Sequence, residues 1–436
     1  MRRPHSGQAM VVMLALLASM LGGIILIFNS GQVINDKIRL ANAADAAAYS
    51  AASWEARSLN YQAYLNRAMV ANEVAIAQLV SLRAWSRYVD TLTTNIDRVT
   101  RYVPYLGPPM QALERGWEGV DRVLGTALPP LEAALSVWNA EVLANAQAIA
   151  HQQAPLAAAD LVPQALTAYE PRARLSEITR ALQVRNGAAW QRFTQRYERG
   201  GGDLRRYTSL LMDSRDGFTR ARSRDLFDVG FITLARRGGT DLIGEYAWRG
   251  LDTLSLHIDY VLDHDEIPLA WGATEQRRHA VSGSGDHGGS LRRNPSASRR
   301  ARRALQPAQG YRGIPQIRDV ANPASRAPRT LAYSVAAHLP RDSVSTVDRL
   351  LMPWGLPTVE GGSESVAPQF GAGSLHAISS AEVYFQRPAT RSDGREEHAS
   401  LFNPYWQARL VPVGTVERQL TAGSRGLTLD PFAVLP

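Results

Sequence analysis

The chain has 436 residues, 45% apolar on a broad count and 20% charged, with 48 basic against 40 acidic side chains. That length allows two or three compact units with real cores, and the composition excludes a collagenous, disulfide-stapled or wholly disordered chain. The absence of cysteine removes disulfides, thiol nucleophiles and cysteine-bound zinc or iron–sulfur centres together, without deciding the compartment. The net charge of +8 invites a nucleic-acid reading until it is located. Between Ala273 and Thr330 stand twelve arginines and only three acids, Glu275, Asp286 and Asp319, so this one segment carries the whole surplus. Lys37 is the sole lysine, which makes arginine the default base of the chain and weak evidence of phosphate recognition.

From Ala9 to Phe28 twenty residues carry no charge. A helix of that length spans about 30 Å, the thickness of the hydrocarbon core. Arg2, Arg3 and His5 precede it and the next base is Lys37. Residues 1–8 are therefore expected to stay cytoplasmic, 9–28 to form a transmembrane helix in a bacterial inner membrane, and the bulk to be periplasmic. A cleaved secretory signal shares the pattern of a basic start and an apolar run. Against it, the run is long and the nearest small-x-small site, Ala41-Asn42-Ala43, lies far downstream. The expectation is a retained anchor, bounded by Ala9 and Phe28.

Residues 29–103 read as one long alanine-rich amphipathic helix, since neither proline nor glycine stands between Gln32 and Val103. Its second half carries a stripe at helical spacing, Trp85, Tyr88, Leu92, Ile96, Val99 and Val103. Its first half, Ala41 to Ala56, suits close helix packing, either on a neighbouring protein or on later helices of the same chain. A helical region follows at 104–199, with proline or glycine breaks predicting helices over Met110–Gly125, Pro130–His151 and Ala173–Tyr197. Strand texture then appears at Leu226–Leu234, Ser255–Leu262, Ile267–Trp271, Leu331–Leu339, Ile378–Gln386 and Tyr405–Val413. The fold class expected is α+β. An amino-terminal transmembrane helix continues into a long helix and a helical region, followed by a mixed, mainly antiparallel domain over 203–272 and 331–436. Residues 273–330 read as a flexible arginine-rich insertion, which could meet anionic lipid or an acidic partner. Aromatics for base stacking are missing there apart from Tyr311, so no nucleic-acid partner is expected.

Two pieces of the first 55 residues carry a family resemblance. Gly7-Gln8-Ala9-Met10-Val11 opens the apolar run after a basic start, and Leu40-Ala41-Asn42-Ala43-Ala44-Asp45-Ala46-Ala47-Ala48 follows beyond it. Together they resemble the amino terminus of the TadE/TadG-like Flp pilus assembly proteins. The resemblance implies a single-pass inner-membrane protein, pilin-like at its start, that helps assemble or anchor the pilus alongside other pilin-like membrane proteins. It also implies a candidate prepilin-type scissile bond between Gly7 and Gln8. Pilin-like members carry a glutamate five residues into the mature chain, where this sequence has Val12. Both a minor pilin and an uncut machine component therefore remain open. Larger members carry a metal-binding D-x-S-x-S loop; the nearest string here, Asp342-Ser343-Val344-Ser345-Thr346, has Val344 where the first serine belongs.

No phosphate-binding loop, dinucleotide fingerprint, zinc-protease helix or nucleophile elbow is present. The densest group of ligating residues is His257 to Glu266. On a strand, His257, Asp259 and Asp263 would share a face, with His264 beside them. It is a weak candidate for a metal site or for the acid/base centre of a tethered periplasmic hydrolase, and reads equally as a polar turn. No catalytic residue and no cofactor are expected.

Overall fold

A computed structural model describes residues 8–197, 204–259, 264–321, 329–345, 374–395 and 397–423. Helix α1, Gln8–Thr100, is a single element of 93 residues, so the apolar run and the alanine-rich segment are continuous. Helix α2 follows at Gly107–Val137, a π-helical turn at Trp138–Leu143, and α3 at Ala144–Tyr169. Next come β1 (Arg174–Leu175), α4 (Ile178–Phe193), β2 (Thr194–Arg196) and α5 (Leu204–Asp213). Four strands follow: β3 (Arg222–Val229), β4 (Ile232–Ile243), β5 (Ala247–Asp259) and β6 (His264–Arg277). Two short helices, α6 (Ser290–Arg293) and α7 (Pro295–Arg303), lead to β7 (Gln306–Gln309) and β8 (Arg318–Val320). The chain closes through β9 (Thr330–Leu339), β10 (Leu375–Phe385), β11 (Trp406–Val411) and α8 (Thr415–Gly423). The protein is α+β, with mostly antiparallel sheets in its carboxy-terminal part.

The chain divides into two compact units, the first from residues 1–60, 150–195 and 320–436, the second from 61–149 and 196–319. In the first unit β1, β9, β10 and β11 form a four-stranded antiparallel sheet. Its core is a row of small side chains from α1, Ala43, Ala44, Ala47, Ala48, Ala51 and Ala52, all fully buried. They belong to one cluster with Ala158 and Val162 of α3, Trp190 of α4, and Val335, Ala337 and Ala381 of the sheet. Alanine leaves little between backbone and partner, so this face of α1 lies flush on its neighbours.

In the second unit β3 to β6 are a four-strand antiparallel meander, and β7 joins β6 in parallel. Residues 80–88 of α1 rest on this sheet where glycine permits it. A Cβ on Gly272 would fall 2.2 Å from the carbonyl oxygen of Ala84 and 2.3 Å from the nitrogen of Tyr88. The predicted stripe bears on the same place, with Trp85, Tyr88 and Leu92 clustered against Leu254 and Ala270.

Three expectations are corrected. Prolines do not end the helices as read: α2 runs through Pro129 and Pro130, and α3 through Pro155 and Pro163. In α3 the buried stripe Ala154, Ala158, Val162 and Leu166 crosses both prolines, and packing along it offsets the lost backbone hydrogen bonds. The strands flanking residues 273–330 do not share a sheet, since β3–β6 and β9–β11 belong to different units. The arginine-rich segment is itself structured in its described part, carrying the end of β6, then α6, α7, β7 and β8; residues 322–328 lie outside the described residues.

Candidate functional site

The segment that carries the sequence signature lies on α1. From Met10 to Phe28 its large side chains, including Met10, Leu17 and Ile27, are exposed around the helix, with Ile25 half-buried. Among the described residues this is the one helix long and apolar enough to cross a membrane. Gln8 opens α1, and Gly7 lies outside the described residues.

Beyond Phe28 the helix becomes tied to its unit through polar groups. Asp36 is 1% exposed. Its Oδ1 accepts from Nη2 of Arg172 at 2.9 Å and from the Ser345 hydroxyl at 3.3 Å, and its Oδ2 accepts the Ser345 backbone N–H at 2.7 Å. Arg172 also donates through Nε and Nη2 to Glu170, at 2.7 and 3.1 Å, and through Nη1 to the Ser343 carbonyl and the Ser345 hydroxyl, both at 2.8 Å. All five guanidinium donors are thereby used. Burial pushes the Asp36 carboxyl up, but the Ser345 N–H and the Arg172 guanidinium reverse this and hold it below its ordinary value. Hydrogen bonds from Arg172 do the same for Glu170.

The D-x-S-like string thus has a structural occupation: Ser343 and Ser345 close the clasp on Asp36, Val344 packs on the core, and Thr346 lies outside the described residues. One residue on, Lys37 donates to the carbonyl of His376.

Within the signature itself Asn42 is exposed, Ala43 and Ala44 are fully buried, and Asp45 accepts a hydrogen bond from the Ser379 hydroxyl at 2.6 Å. Ten residues further, Glu55 occupies the buried face at 1% exposure, with neither carboxyl oxygen partnered among the described residues. Burial raises its carboxyl to about 8.

The histidine cluster of the second unit is brought together, with the exception of Asp263, which lies outside the described residues. His257 is fully buried; its Nδ1 is 3.0 Å from Nε2 of His264, and its Nε2 is 2.9 Å from Oδ1 of Asn294. Nδ1 of His264 bonds the Asp259 carboxylate. The Asn294 amide nitrogen faces the Ala235 carbonyl, an obligate acceptor, at 3.0 Å, which orients its oxygen to His257. His257 therefore donates through Nε2 and accepts at Nδ1 from His264. Both rings have both nitrogens engaged within the protein, and no set of three metal ligands occurs among the described residues. Through Asn294, which stands between α6 and α7, the pattern also helps to hold these two helices on the sheet.

Sequence reading missed Asp36, Arg172, Glu55 and Asn294. A signal existed for Glu55, which follows Ala51 and precedes Leu59 at helical spacing on the alanine face. None existed for Asp36 and Ser345, which stand 309 positions apart.

Residues 7–53 match the Tad family model, described as "Putative Flp pilus-assembly TadE/G-like". The match takes in the exposed apolar helix, the Asp36 clasp position and the buried alanine row. No curated protein and no solved structure matches the chain.

Proposed function

We propose that this chain is a non-enzymatic, single-pass inner-membrane component of a Flp/Tad-type pilus machine, with its amino terminus cytoplasmic and its bulk periplasmic. It assembles or anchors the pilus through contacts with other pilus-assembly proteins. The observation that carries the reading is the join within the Tad-matching segment. An exposed helix of membrane-spanning length runs without a break into an alanine face buried by the chain's own sheet and helices. Arg2 and Arg3 before the span supply the orientation.

The buried alanine face also weighs between the two pilus readings. A fibre subunit needs the helix surface beyond its span for neighbouring copies. Here Ala43, Ala44, Ala47 and Ala48 are covered within one unit, which favours a machine part over a minor pilin processed between Gly7 and Gln8. The test is mass spectrometry of the mature amino terminus from isolated membranes, together with pilus assembly in a deletion strain. An intact start in the membrane fraction, with pili lost on deletion, is expected. A start at Gln8 would make the minor pilin the better reading, and pili unaffected by deletion would overturn both.

A further inference from the structure

The arginine-rich segment meets the solvent as an ordered surface. On α7 the small residues Ala297, Ser298 and Ala301 are buried, while Arg299, Arg300, Arg302 and Arg303 are exposed on the opposite side. Arg292 on α6 has an acidic neighbour, Asp286, at 3.4 Å. The four arginines of α7 have no carboxylate partner among the described residues. Arg300 lies over the ring of Trp271, 5.0 Å from its centroid, and the Arg299 guanidinium donates to the Ser296 hydroxyl at 3.1 Å.

A network of buried polar groups holds α7 in place. Glu266 of β6 accepts the N–H groups of Ser296 and Ala297 at the start of α7, at 2.5 and 3.0 Å, and the Ser255 hydroxyl at 2.7 Å. Asn294, between α6 and α7, bonds His257, Ala235 and Thr253. Thr253 bonds Ser290, and Ser290 bonds Ser298 at 2.9 Å. Buried polar groups are costly unless each is satisfied, so this network specifies one position for the helix.

We infer that α7 is a docking surface for a protein partner that presents a matching row of carboxylates. Attraction to anionic lipid grows with the number of basic residues near the surface, so it does not by itself call for the buried polar network that fixes this helix. The exposed face of α7 also carries no large apolar side chain to enter the lipid boundary. A fixed array of planar forks is what paired recognition of carboxylates uses. The surface deepens the proposed role by giving a chemistry to one of its protein contacts. It is tested on isolated protein, so it can fail while the anchoring reading stands.

The experiment uses the full chain in detergent and two synthetic helical peptides of one composition, one with its glutamates on a single face and one with them scattered round the helix. Vesicles of phosphatidylglycerol and phosphatidylcholine form a third arm. The clustered peptide is expected to bind at least tenfold tighter than the scattered one. That preference should vanish when Arg299, Arg300, Arg302 and Arg303 are all changed to Gln. It should also vanish in Asn294→Ala, which keeps every arginine, and in Glu266→Gln, which removes a negative charge nearby and so strengthens any purely charge-counting interaction. Circular dichroism and thermal unfolding establish that each variant stays folded. Equal binding of the two peptides overturns the inference, as does binding to the vesicles alone, which would assign the surface to lipid.

Discussion

Nη2 of Arg172 stands 2.9 Å from Oδ1 of Asp36, an almost fully buried carboxylate eight residues beyond the end of the apolar run. The pair fixes the part of α1 just beyond the apolar run to the loop after β9, because the same guanidinium holds the Ser343 carbonyl. The apolar helix and its unit are joined by a saturated set of charged hydrogen bonds as well as by apolar packing.

Arg172→Ala leaves Asp36 buried without its counter-charge and is expected to cost about 2–3 kcal/mol in the first unit, at or just below the low end of the range for broken buried pairs since Arg172 is one-third exposed. Arg172→Lys should recover only part, lacking the fork. Asp36 and Glu170 are both held below their ordinary values of 3.8 and 4.5. Their contribution is therefore fully present above those values and lost as pH falls below them. Denaturant unfolding between pH 7 and pH 3 checks this: the wild type should lose its advantage over Arg172→Ala as the solution is acidified.

Glu55 behaves in the opposite sense. Burial raises its carboxyl from 4.5 to about 8, so the folded chain holds a proton that the unfolded chain releases. Relative stability is full below 4.5 and declines as pH rises through about 8. Glu55→Gln, which cannot ionise, should stabilise the first unit by about 3 kcal/mol at pH 7 and by almost nothing at pH 4. A pH-independent difference between the two proteins would refute this assignment.

Gly272→Ala places a methyl group against the backbone of α1 at Ala84 and Tyr88. Neither backbone atom can step aside without shifting the helix, so a loss of about 3 kcal/mol is expected in the second unit. Gly116→Ala, where nothing lies within 4 Å, is the matched control and should be neutral or mildly stabilising. Melting temperatures of the two variants provide the comparison.

His257 should be neutral and protonated on Nε2 at pH 6.5, gaining its charge only at a lower pH than an exposed histidine does. Burial lowers it first, and Arg293 and His264 oppose its charge, while Asn294 and Glu266 act the other way. The stability that depends on neutral His257 is present above 6.5 and is lost as pH falls through its depressed value. Nitrogen-15 shifts of the ring can be followed from pH 8 to pH 5, and an imidazolium at pH 6.5 would contradict the hydrogen-bond order derived from Asn294.

The parts of this architecture legible in the chain are those with local causes. The apolar stretch to Phe28 needs only its own composition, and the helix to Thr100 needs only alanine content and the spacing of Trp85, Tyr88 and Leu92. Strands near Leu331–Leu339 and Ile378–Gln386 followed from alternation and match β9 and β10 closely. Pro155 and Pro163 misled because a proline's local penalty is visible in the letters, whereas the buried stripe that offsets it depends on the sheet to which β9 and β10 belong. Arg-rich, Gly- and Ser-rich text at 287–303 reads as loop for the same reason. Its order comes from Glu266, His257 and Thr253 on strands before it.

Sequence alone determined that a helix of membrane-spanning length continues into an alanine-rich helix, within a segment similar to the Tad family, and that strands follow. A run of apolar side chains and a helical period act within a few residues of themselves, and nothing distant is needed to express them. Only the tertiary structure decided that the alanine face is spent on the chain's own sheet, that Asp36 is held by Arg172 and Ser345, and that the arginines of α7 are displayed from a fixed helix. Each of these depends on burying polar or close-packed groups against residues tens to hundreds of positions away. Desolvation makes such pairings strongly favourable or strongly unfavourable only once the whole fold has brought the partners together.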